Sequence, residues 1–508
     1  MDPAPEALSR VLALKGWRAL ALLPAAVAAR GQRHRIVAVV TQSITLLHVA
    51  VVQCTRRDRL DFIEGMAVRA QAAALANDYR TSYQLVRLLA GFAPRPLQAV
   101  RLKDGSLSTT AAQRDARWQE HYCELFNGYV VDNPSALATA PARPVREHAF
   151  LHSCAQLECA IQRLGNNKGL GPDELSAEVA KAGGSPFAVK LHEITSRIVS
   201  EERWPVQWKG GRLASLWKKK GSAADCGNSR GLLISDHISK AFIGTLKDEM
   251  QQQVQDNTAD NQFGGMAGGG TDFPNHTIRS VLQYAKMCSL SVFVLFLDLE
   301  KAFDKVIREI VMGWPQSAAE SFTTETQQLD YLRSIGIAAR AAEHIVRLLR
   351  DKGSVFQQWG VDPKVEALVR GLHSKAWFRV GDNDAVIVTS TGGRQGCKLG
   401  GIIFNSVYEQ ALEQIRQRLR VAGIVLVLRG SDSKPFWSSD DGTWVTSEAP
   451  VVEVTYVDDE AAVAVASSPA ALDIAIDVML SSYVEVFSDY GLIINWKKGK
   501  SVAALLPR

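Results

Sequence analysis

The stretch Val451–Ala466 constrains the fold more than any other, because it places two adjacent aspartates between two runs of strand-forming residues. Its sequence, VVEVTYVDDEAAVAVA, is rich in Val, Thr, Tyr and Ala on both sides of Asp458 and Asp459. Such runs predict two short strands, and the acidic pair falls where a tight hairpin turn belongs. Neighbouring carboxylates repel one another, which a fold tolerates at a solvated turn or around a divalent cation. Taken alone, the pair favours a plain solvated turn over a metal site.

A second acidic strand end lies upstream, in Ser291–Asp304. Residues 291–297 form an almost unbroken apolar run of strand length, and Asp298 follows directly. This pattern predicts a buried central strand that delivers one carboxylate to a site. Two acidic strand ends favour a shared metal site over two unrelated turns.

Length and composition describe an ordinary globular protein. The chain has 508 residues, 46% of them apolar and 22% charged, which suffices for two or three domains and excludes a largely disordered chain. The net charge of +5 permits a nucleic-acid partner without demanding one. The seven cysteines include no CxxC pair and no zinc-site spacing. We therefore expect free thiols in a reducing compartment, no disulfides and no structural metal.

Residues 1–55 form an apolar N-terminal segment without an assigned role. Leu12–Ala29 and Ile36–Val52 are short or interrupted for membrane spans, which favours a buried helix. The prolines near the start fit poorly with a basic leader, so a targeting or membrane segment is the weaker alternative.

Apolar residues at helical spacing predict helices over Ala111–Phe126, Phe273–Met287 and Ala471–Asp489, and through most of residues 306–377. The Ser/Thr/Glu-rich stretch Ser317–Gln328 is typical of a surface insertion. Residues 491–500 are predicted to turn into a strand that carries basic residues.

Two further blocks complete an ordered set of four. The set comprises Asp298 with Phe303 and Asp304, Gly393–Cys397 with Leu399 and Phe404-Asn405, Tyr456–Asp459, and Gly491–Lys500. These four blocks resemble the signature motifs of reverse transcriptases, and their shared order over about 200 residues argues against coincidence. The closest resemblance is to the polymerase region of non-LTR (LINE-type) retrotransposons.

The resemblance implies an α+β fold built as a right-hand polymerase palm. In that fold an antiparallel palm sheet is backed by helices in a split β-α-β arrangement, with α/β fingers and a helical N-terminal region. On this basis residues 56–148 are a helical linker, 149–290 the fingers and 291–508 the palm, with further fingers elements before residue 393. Only eight residues follow Lys500, so we expect no thumb. The resemblance offers no counterpart in residues 1–148 for the endonuclease that usually lies upstream, so we do not expect one there.

Basic residues of the expected fingers are candidates for binding a triphosphate. Arg212–Gly221 predicts a strand that ends in three consecutive lysines, Lys218, Lys219 and Lys220, and Arg230 follows after a loop. Arginine offers a fork of donors and lysine a compact charge, and both suit phosphates. A lysine run is equally typical of a solvated hairpin tip. By the resemblance, Arg230 contacts the phosphates of the incoming nucleotide and one of the lysines assists.

Phe303, Gln395 and Gly396 complete the nucleotide site that the resemblance implies. Phe303 would stack under the incoming sugar and exclude a 2′-hydroxyl, whereas without its motif it is a core aromatic. Two glycines around Gln395 allow the backbone to pass close to a ligand, and the amide presents both a donor and an acceptor. Gln395 and Gly396 would therefore line the nucleotide pocket.

Template and primer contacts are implied at Lys168, Gly264 and Tyr456. Lys168 lies in a loop rich in Gly, Asn and Pro, and Gly264 lies in the glycine-dense stretch 262–272. That stretch lacks the strand-loop-Gly-Lys-Ser/Thr context of a P-loop, which argues against nucleotide hydrolysis.

Asp298 and Asp458 are the predicted ligands of two Mg²⁺ ions, with Asp459 in support. Nucleotidyl transfer needs carboxylates that converge from separate strands, and oxygen-only ligation with open positions for phosphates suits magnesium, with Mn²⁺ as a substitute. The resemblance also suggests Lys498 as a catalytic residue that protonates the pyrophosphate leaving group.

The resemblance thus implies an RNA-directed DNA polymerase (reverse transcriptase) of a retrotransposon, acting on an RNA template, a DNA primer and dNTPs. No membrane role and no obligate protein partner are expected, and a retroelement protein is expected in the nucleus and cytoplasm. Two alternatives stand beside it. One is a thumb-less, inactive remnant that only binds nucleic acid, and the other is an RNA-dependent RNA polymerase, against which Phe303 argues because ribonucleotides need room there.

Overall fold

The computed structural model describes residues 30–89, 99–138, 152–265, 269–315, 322, 324–381, 385–430, 447–497 and 499–506. The chain divides into two units, one made of Met1–Ala99 with Glu178–Phe187 and the other of Val100–Ala177 with Ala188–Arg508. The residues of both acidic strand ends belong to the second unit.

Two helices that pack on each other dominate the first unit, α1 (Arg30–Leu75) and α2 (Tyr79–Leu89). Among the described side chains of α1, only Met66 and Ala70 are buried. The expected buried helix over Ile36–Val52 is therefore wrong, since the side chains described there are half-buried or exposed. The apolar residues of α1 are spread around the helix, so it presents no single face to a core.

The other apolar N-terminal stretch, Leu12–Ala29, lies outside the described residues. Within the described ranges, every helix is too short or too polar to cross a bilayer.

Fourteen further helices lie in the described residues. They are α3 (Ala111–Leu125), α4 (Cys154–Gln162), α5 (Ala177–Ala182), α6 (Gly184–Glu201), α7 (His237–Glu249), α8 (Gln251–Asp256), α9 (Asp272–Met287), α10 (Arg308–Met312), α11 (Glu325–Ser334), α12 (Ala339–Asp351), α13 (Val355–Gln358), α14 (Pro363–His373), α15 (Gly400–Val421) and α16 (Pro469–Asp489). The helices predicted from spacing correspond to α3, α9 and α16 to within two residues at each end. Half of the predicted insertion Ser317–Gln328 lies outside the described residues, and its described end begins α11.

Capping boxes fix where several helices begin. At α3 the Thr110 hydroxyl accepts from the backbone N–H of Gln113, and the Gln113 side chain accepts from the Thr110 backbone N–H. This exchange satisfies two donors that a helix start otherwise leaves unpaired. The same device begins α4, α11 and α13 at Ser153, Thr324 and Ser354.

The described strands are β1 (Tyr129–Val131), β2 (Gly210–Trp217), β3 (Ser229–Ile234), β4 (Ser291–Leu297), β5 (Trp377–Arg379), β6 (Val386–Val388), β7 (Leu426–Gly430), β8 (Ser447–Val451), β9 (Glu453–Tyr456), β10 (Asp459–Ala466) and β11 (Val502–Leu506). A five-stranded sheet has the order β1-β6-β5-β2-β3, in which only the β2–β5 pair is parallel. The core of this sheet is closed by α3, whose Trp118 and Tyr122 pack with Phe378 and Leu233. β7 and β8 form a separate pair.

A four-stranded antiparallel sheet has the order β11-β4-β10-β9. β4 is central, with β10 on one side and β11 on the other. One face of the sheet packs against α9 through Val281 and Ala285. On the other face Glu460 of β10 accepts hydrogen bonds from Tyr408 of α15 and Tyr483 of α16. Both faces are largely covered, which explains why six of the seven residues of β4 are apolar and only Phe296 is exposed.

Residues 491–500 do not form the predicted strand. Among those described, Ile494 makes an isolated bridge to Leu299, and the strand β11 begins only at Val502. The backbone N–H of Asn495 donates to the carbonyl of Asp298 at 2.8 Å, so the segment follows the end of β4 as an irregular connection. The apolar residues of this segment pack without forming a ladder of strand hydrogen bonds.

Candidate active site

The acidic turn lies at the tip of the β9–β10 hairpin. Tyr456 ends β9 and pairs with Asp459, the first residue of β10, so Val457 and Asp458 are the two turn residues. Val457 has φ +63°, in the left-handed region that a β-branched residue rarely adopts. Such a conformation costs on the order of 1–2 kcal/mol and must be held by its surroundings. The turn therefore has a defined backbone conformation that neighbouring residues must stabilise.

The end of β4 meets this tip. In the β10–β4 ladder Glu460 pairs with Leu297, and one step further the same register sets Asp459 opposite Asp298. Residues directly opposite in an antiparallel pair point to the same face, with Cβ atoms about 4.5–5.5 Å apart. The structure thus brings together the two acidic strand ends, which lie some 160 positions apart in the chain, at one edge of the sheet.

The three carboxylates share one electrostatic environment. Burial raises the pKa of Asp458, and the negative charges of Asp459 and Asp298 raise it further, while Arg230 acts in the opposite direction. A carboxyl whose pKa is raised by neighbouring carboxylates lies where negative charge is in excess. This site therefore favours a positively charged ligand.

Asp298 is held by two side chains from the segment before β11. Its Oδ2 accepts from Asn495 Nδ2 at 2.7 Å and from Lys500 Nζ at 3.0 Å. About a third of the Asp298 side chain is exposed, so it remains accessible from the solvent side. Residues 491–500 thus serve the site by orienting one carboxylate.

A cluster of cations lies beside the carboxylates. Burial lowers the pKa of Lys218, and the charges of Arg230, Lys301 and Lys500 lower it further, whereas Asp304 raises it. Lys218 and Arg230 are exposed at the facing ends of β2 and β3. These two predicted phosphate-binding residues are therefore near the acidic turn.

Lys219 and Lys220 occupy the turn that follows β2, and both are exposed. Lys219 has φ +57°, as residues at turn tips often do. Their position matches a solvated hairpin tip, the alternative that the lysine run left open.

Gln395 is fixed by two contacts rather than free in a pocket. Its Nε2 donates to Asp304 Oδ1 at 2.8 Å, and its carbonyl accepts from Leu233 N at 2.7 Å. Burial raises the pKa of Asp304 to about 6. Gly396 has φ +103°, and a Cβ there would overlap the Leu233 carbonyl. The glycine at position 396 thus allows a close backbone approach to β3.

Phe303 is half-buried and stacks on Phe404 of α15, with ring centroids 4.6 Å apart and planes inclined by 30°. Its carbonyl accepts from Gly393 N at 2.9 Å, which joins the block around Asp298 to the block Gly393–Cys397. The ring packs as a core aromatic on one side, and its other side is partly exposed.

The predicted template and primer residues lie at different distances from the turn. Tyr456 ends β9, and Gly264 lies so close to the turn that a Cβ there would overlap Val457 N. Lys168 is exposed in a loop whose Gly169 lies next to Ile234, at the end of β3. Lys498 lies outside the described residues.

Comparison with known proteins identifies the family. The model of the reverse transcriptase (RNA-dependent DNA polymerase) family matches residues 217–504, more than half of the chain. The chain belongs to the reverse transcriptase family. The matched segment contains both acidic strand ends, and the mixed helix-and-sheet fold around them fits the polymerase palm of reverse transcriptases.

Two curated relatives are transposon proteins. The transposon TX1 uncharacterized 149 kDa protein of Xenopus laevis is 25% identical over 276 residues, which cover 53% of this chain and 18% of that protein. The probable RNA-directed DNA polymerase from transposon X-element of Drosophila melanogaster is 27% identical over 148 residues, which cover 29% of this chain and 16% of that protein. The matches span less than a fifth of the length of either relative. They support the resemblance to LINE-type reverse transcriptases.

A structural match was also found, to apo telomerase from Candida tropicalis truncated from its C-terminal domain. The TM-score is 0.34 at 11% identity, over 59% of this chain and 51% of that chain. At this score the likeness supports no further conclusion.

Reverse transcriptases use divalent metal ions, and the acidic site suits one. In the part of the chain that the structure describes, no three or more His, Cys, Asp or Glu side chains form a complete metal-binding group. Magnesium, however, is often held by one or two carboxylates together with substrate phosphates and water. The donors here are all oxygen atoms, and the raised pKa of Asp458 shows negative charge that a cation would offset. The residues present therefore fit the ion.

The sequence indicated the carboxylates that meet at the acidic turn but not the residues that position them. Asn495 and Lys500 belong to a recognised block, yet no spacing connects them with Asp298, some 200 positions earlier. Gln262, which contacts the acidic turn, lies in a stretch noticed only for its glycines.

Proposed function

We propose that this chain is an RNA-directed DNA polymerase of a non-LTR retrotransposon, which transfers dNTPs onto a primer 3′-hydroxyl. The observation that carries the proposal is the strand register that sets Asp298 opposite Asp459, beside Asp458. Membership of the reverse transcriptase family and the similarity to two transposon proteins support it. An RNA template, a DNA primer and dNTPs are the partners that follow, and the nucleus and cytoplasm are the expected location of a retroelement protein.

The two sheets take the parts of a right hand in this proposal. The four-stranded sheet with α15 and α16 is the palm, in the split β-α-β arrangement, and the five-stranded sheet with its helices is the fingers. The fingers sheet takes β1 from the segment assigned to the linker and β5 and β6 from the segment before residue 393. This assignment places the acidic turn at the exposed edge of the palm.

Asp298 and Asp458 would hold two Mg²⁺ ions, or Mn²⁺ in their place, with Asp459 in support. When bound, such ions activate the attacking hydroxyl and offset the charge of the triphosphate. Asn495 and Lys500 orient the Asp298 carboxyl for this task.

Arg230 and Lys218 would bind the triphosphate, because both are exposed and Arg230, which lies near Lys218, acts electrostatically on Asp458. Lys219 and Lys220 lie further along the same turn and would assist less. Lys498 stays the predicted proton donor to pyrophosphate.

Phe303, Gln395 and Gly396 would shape the side of the pocket that receives the sugar. The Phe404 ring supports Phe303 from behind, and the Gln395–Asp304 hydrogen bond fixes the segment that follows. A rigid aromatic at this position would exclude a 2′-hydroxyl and so select dNTPs. Gly264, Tyr456 and Lys168 would contact template and primer.

Primer extension tests the proposal. The full chain is incubated with a DNA primer on an RNA template, dNTPs and Mg²⁺, beside the variants Asp298→Asn and Asp458→Asn. We expect extension by the wild type and a loss of at least about a hundredfold in each variant, the scale for removing one charge-stabilising group. Asp473→Asn, the same change at an exposed position of α16, serves as the matched control and should extend normally.

Three other outcomes separate the alternatives. Extension with rNTPs alone would replace the proposal with an RNA-dependent RNA polymerase. Binding of the RNA–DNA hybrid without extension would indicate a remnant that only binds nucleic acid. Normal extension by both aspartate variants would show that the acidic turn is not the catalytic site.

A further inference from the structure

A buried amide side chain, Gln262, holds the backbone of the acidic turn. Its Oε1 accepts from Val457 N at 3.2 Å and from Gly264 N at 3.0 Å, and its Nε2 donates to Val457 O at 3.4 Å. Only 4% of Gln262 is exposed, so water does not compete for these groups. One side chain thus binds both polar groups of the turn residue that precedes Asp458.

Gln262 is itself anchored by the strand beside it. Thr455 N donates to Asn261 O and Phe263 N donates to Thr455 O, each at 2.9 Å, so the segment runs parallel to β9. The Asn261 side chain also donates to the carbonyl of Glu453 at 2.8 Å. These contacts add one short segment to the edge of the four-stranded sheet and fix the position of the Gln262 side chain.

Gly264, two residues after Gln262, also lies against the turn. Asn405 of α15 donates to the carbonyl of Gly264 at 3.2 Å. The Gly264 backbone lies against Val457, where only glycine leaves room. The turn is therefore enclosed by a segment almost 200 positions earlier in the chain.

The conformation of Val457 explains what this enclosure does. At φ +63° a valine is strained, and an unsupported turn would relax toward a different backbone geometry. Relaxation would rotate the peptide that joins Val457 to Asp458 and displace the carboxylate. The two Gln262 hydrogen bonds are satisfied only in the strained geometry.

We propose that Gln262 is a positioning residue of the reaction, which holds Val457 in the left-handed conformation and thereby places Asp458 for metal binding. The proposal rests on the proposed polymerase function. Gln262 acts through the turn, since its side-chain hydrogen bonds go to the backbone of Val457 and Gly264. Its loss therefore lowers turnover and leaves nucleotide binding largely unchanged.

Steady-state kinetics of the full chain provide the first test. Gln262→Leu removes all three hydrogen bonds at similar size, and Gln283→Leu makes the same change at an exposed position of α9. We expect Gln262→Leu to lower kcat at least tenfold with the KM for dNTP within twofold, and Gln283→Leu to match the wild type. An unchanged kcat in Gln262→Leu would overturn the proposal.

A double variant separates positioning from general stability. Glycine adopts φ +63° without strain, so a Val457→Gly background needs less support from Gln262. We expect Gln262→Leu to cost at least threefold less in kcat in that background than in the wild type. An equal cost in both backgrounds would show that Gln262 matters only for the stability of the fold.

Hydrogen exchange gives a readout that does not depend on activity. Peptides that cover residues 453–461 should exchange at least tenfold faster in Gln262→Leu, while peptides from α16 keep the wild-type rate. Equal exchange at the turn would overturn the inference even if the wild type polymerises. An inactive wild type whose turn is loosened by Gln262→Leu would instead refute the polymerase function and leave the structural role of Gln262 standing.

Discussion

The carboxyl of Asp298 is oriented by residues that lie 197 and 202 positions later in the chain, Asn495 and Lys500. Both contacts fall on one oxygen, Oδ2, which leaves Oδ1 for another ligand. Asn495 is buried, so its amide cannot exchange its partner for water. The geometry of this carboxylate therefore depends on a neutral donor at position 495.

Asn495→Asp tests that dependence. The substitution replaces a donor 2.7 Å from Asp298 with a carboxyl of the same shape, and two carboxyls at that distance compete for one proton. We expect kcat/KM in primer extension to fall at least about tenfold, which corresponds to about 1.4 kcal/mol. Asn257→Asp, at an exposed site at the end of α8, should not change it. A variant as active as the wild type would show that Asn495 does not orient the carboxyl.

Phe303→Val tests nucleotide selection at the same scale. A smaller side chain should admit a 2′-hydroxyl, so the ratio of kcat/KM for dNTP over rNTP should fall at least about tenfold. Phe404→Leu removes only the ring contact that supports Phe303 and should lower the ratio less than Phe303→Val does. Both variants are compared by single-nucleotide incorporation. A fall of similar size in both would assign the effect to packing.

At the scale of elements, burial decides which parts could be predicted from the sequence. β4 was predicted at its observed bounds because both faces of the sheet are largely covered and six of its seven residues are apolar. Residues 491–500 looked like a strand, but the contacts of Asn495 with Asp298 decide their course. Such long-range contacts leave no local pattern. The aspartates follow local runs of strand-forming residues, so they could be predicted. The contact of Gln262 with Val457 joins distant parts of the chain, so it could not.

Replacing Gly396 or Gly401 with alanine should change the free energy of unfolding in opposite directions. Gly396 has φ +103° and abuts the Leu233 carbonyl of β3, so Gly396→Ala should destabilise the fold by about 2–3 kcal/mol. Gly401 lies in α15 with open space around its Cα, so Gly401→Ala should stabilise it by about 0.5–1 kcal/mol. Urea unfolding followed by circular dichroism measures both. Equal effects would contradict the close approach at β3.

The start of α7 should make stability depend on pH. Burial raises the pKa of Asp236 from 3.8 to about 7, and the charge of Asp173 adds to the effect. The folded chain thus keeps a proton that the unfolded chain releases, so this contribution is full below pH 3.8 and is lost as pH rises toward 7.

We therefore expect Asp236→Asn to lose less stability than the wild type between pH 4 and pH 7. Asp248→Asn, at an exposed residue of α7, is the matched control and should keep the wild-type slope. Urea unfolding at several pH values gives the comparison. Parallel curves for Asp236→Asn and the wild type would show that Asp236 does not retain the proton.

At the scale of the whole molecule, charge is distributed unevenly although the net value is only +5. Four cations lie beside three carboxylates, namely Lys218, Arg230, Lys301 and Lys500. The electrostatic potential at this site therefore cannot be inferred from the net charge of the chain. Sequence composition could state the sum of the charges but not this arrangement, which the strand pairing creates.

The salt dependence of nucleic-acid binding tests which basic side chains contact phosphates. The affinity for an RNA–DNA hybrid should fall linearly on a log–log plot as KCl rises. Lys168→Ala should reduce the slope by about one if Lys168 binds a phosphate. Lys190→Ala, at an exposed position of α6, should leave the slope unchanged. Fluorescence anisotropy measures both, and identical slopes would remove Lys168 from the nucleic-acid interface.

The central place of β4 has a consequence for shortened versions of this protein. Its described partner strands, β10 and β11, both follow it by more than 150 residues, so a product that stops before residue 451 leaves the most apolar strand unpaired on both edges. Such products should aggregate when made alone. Supplying residues 447–508 as a second polypeptide should restore their solubility, because the missing strands could then dock from outside.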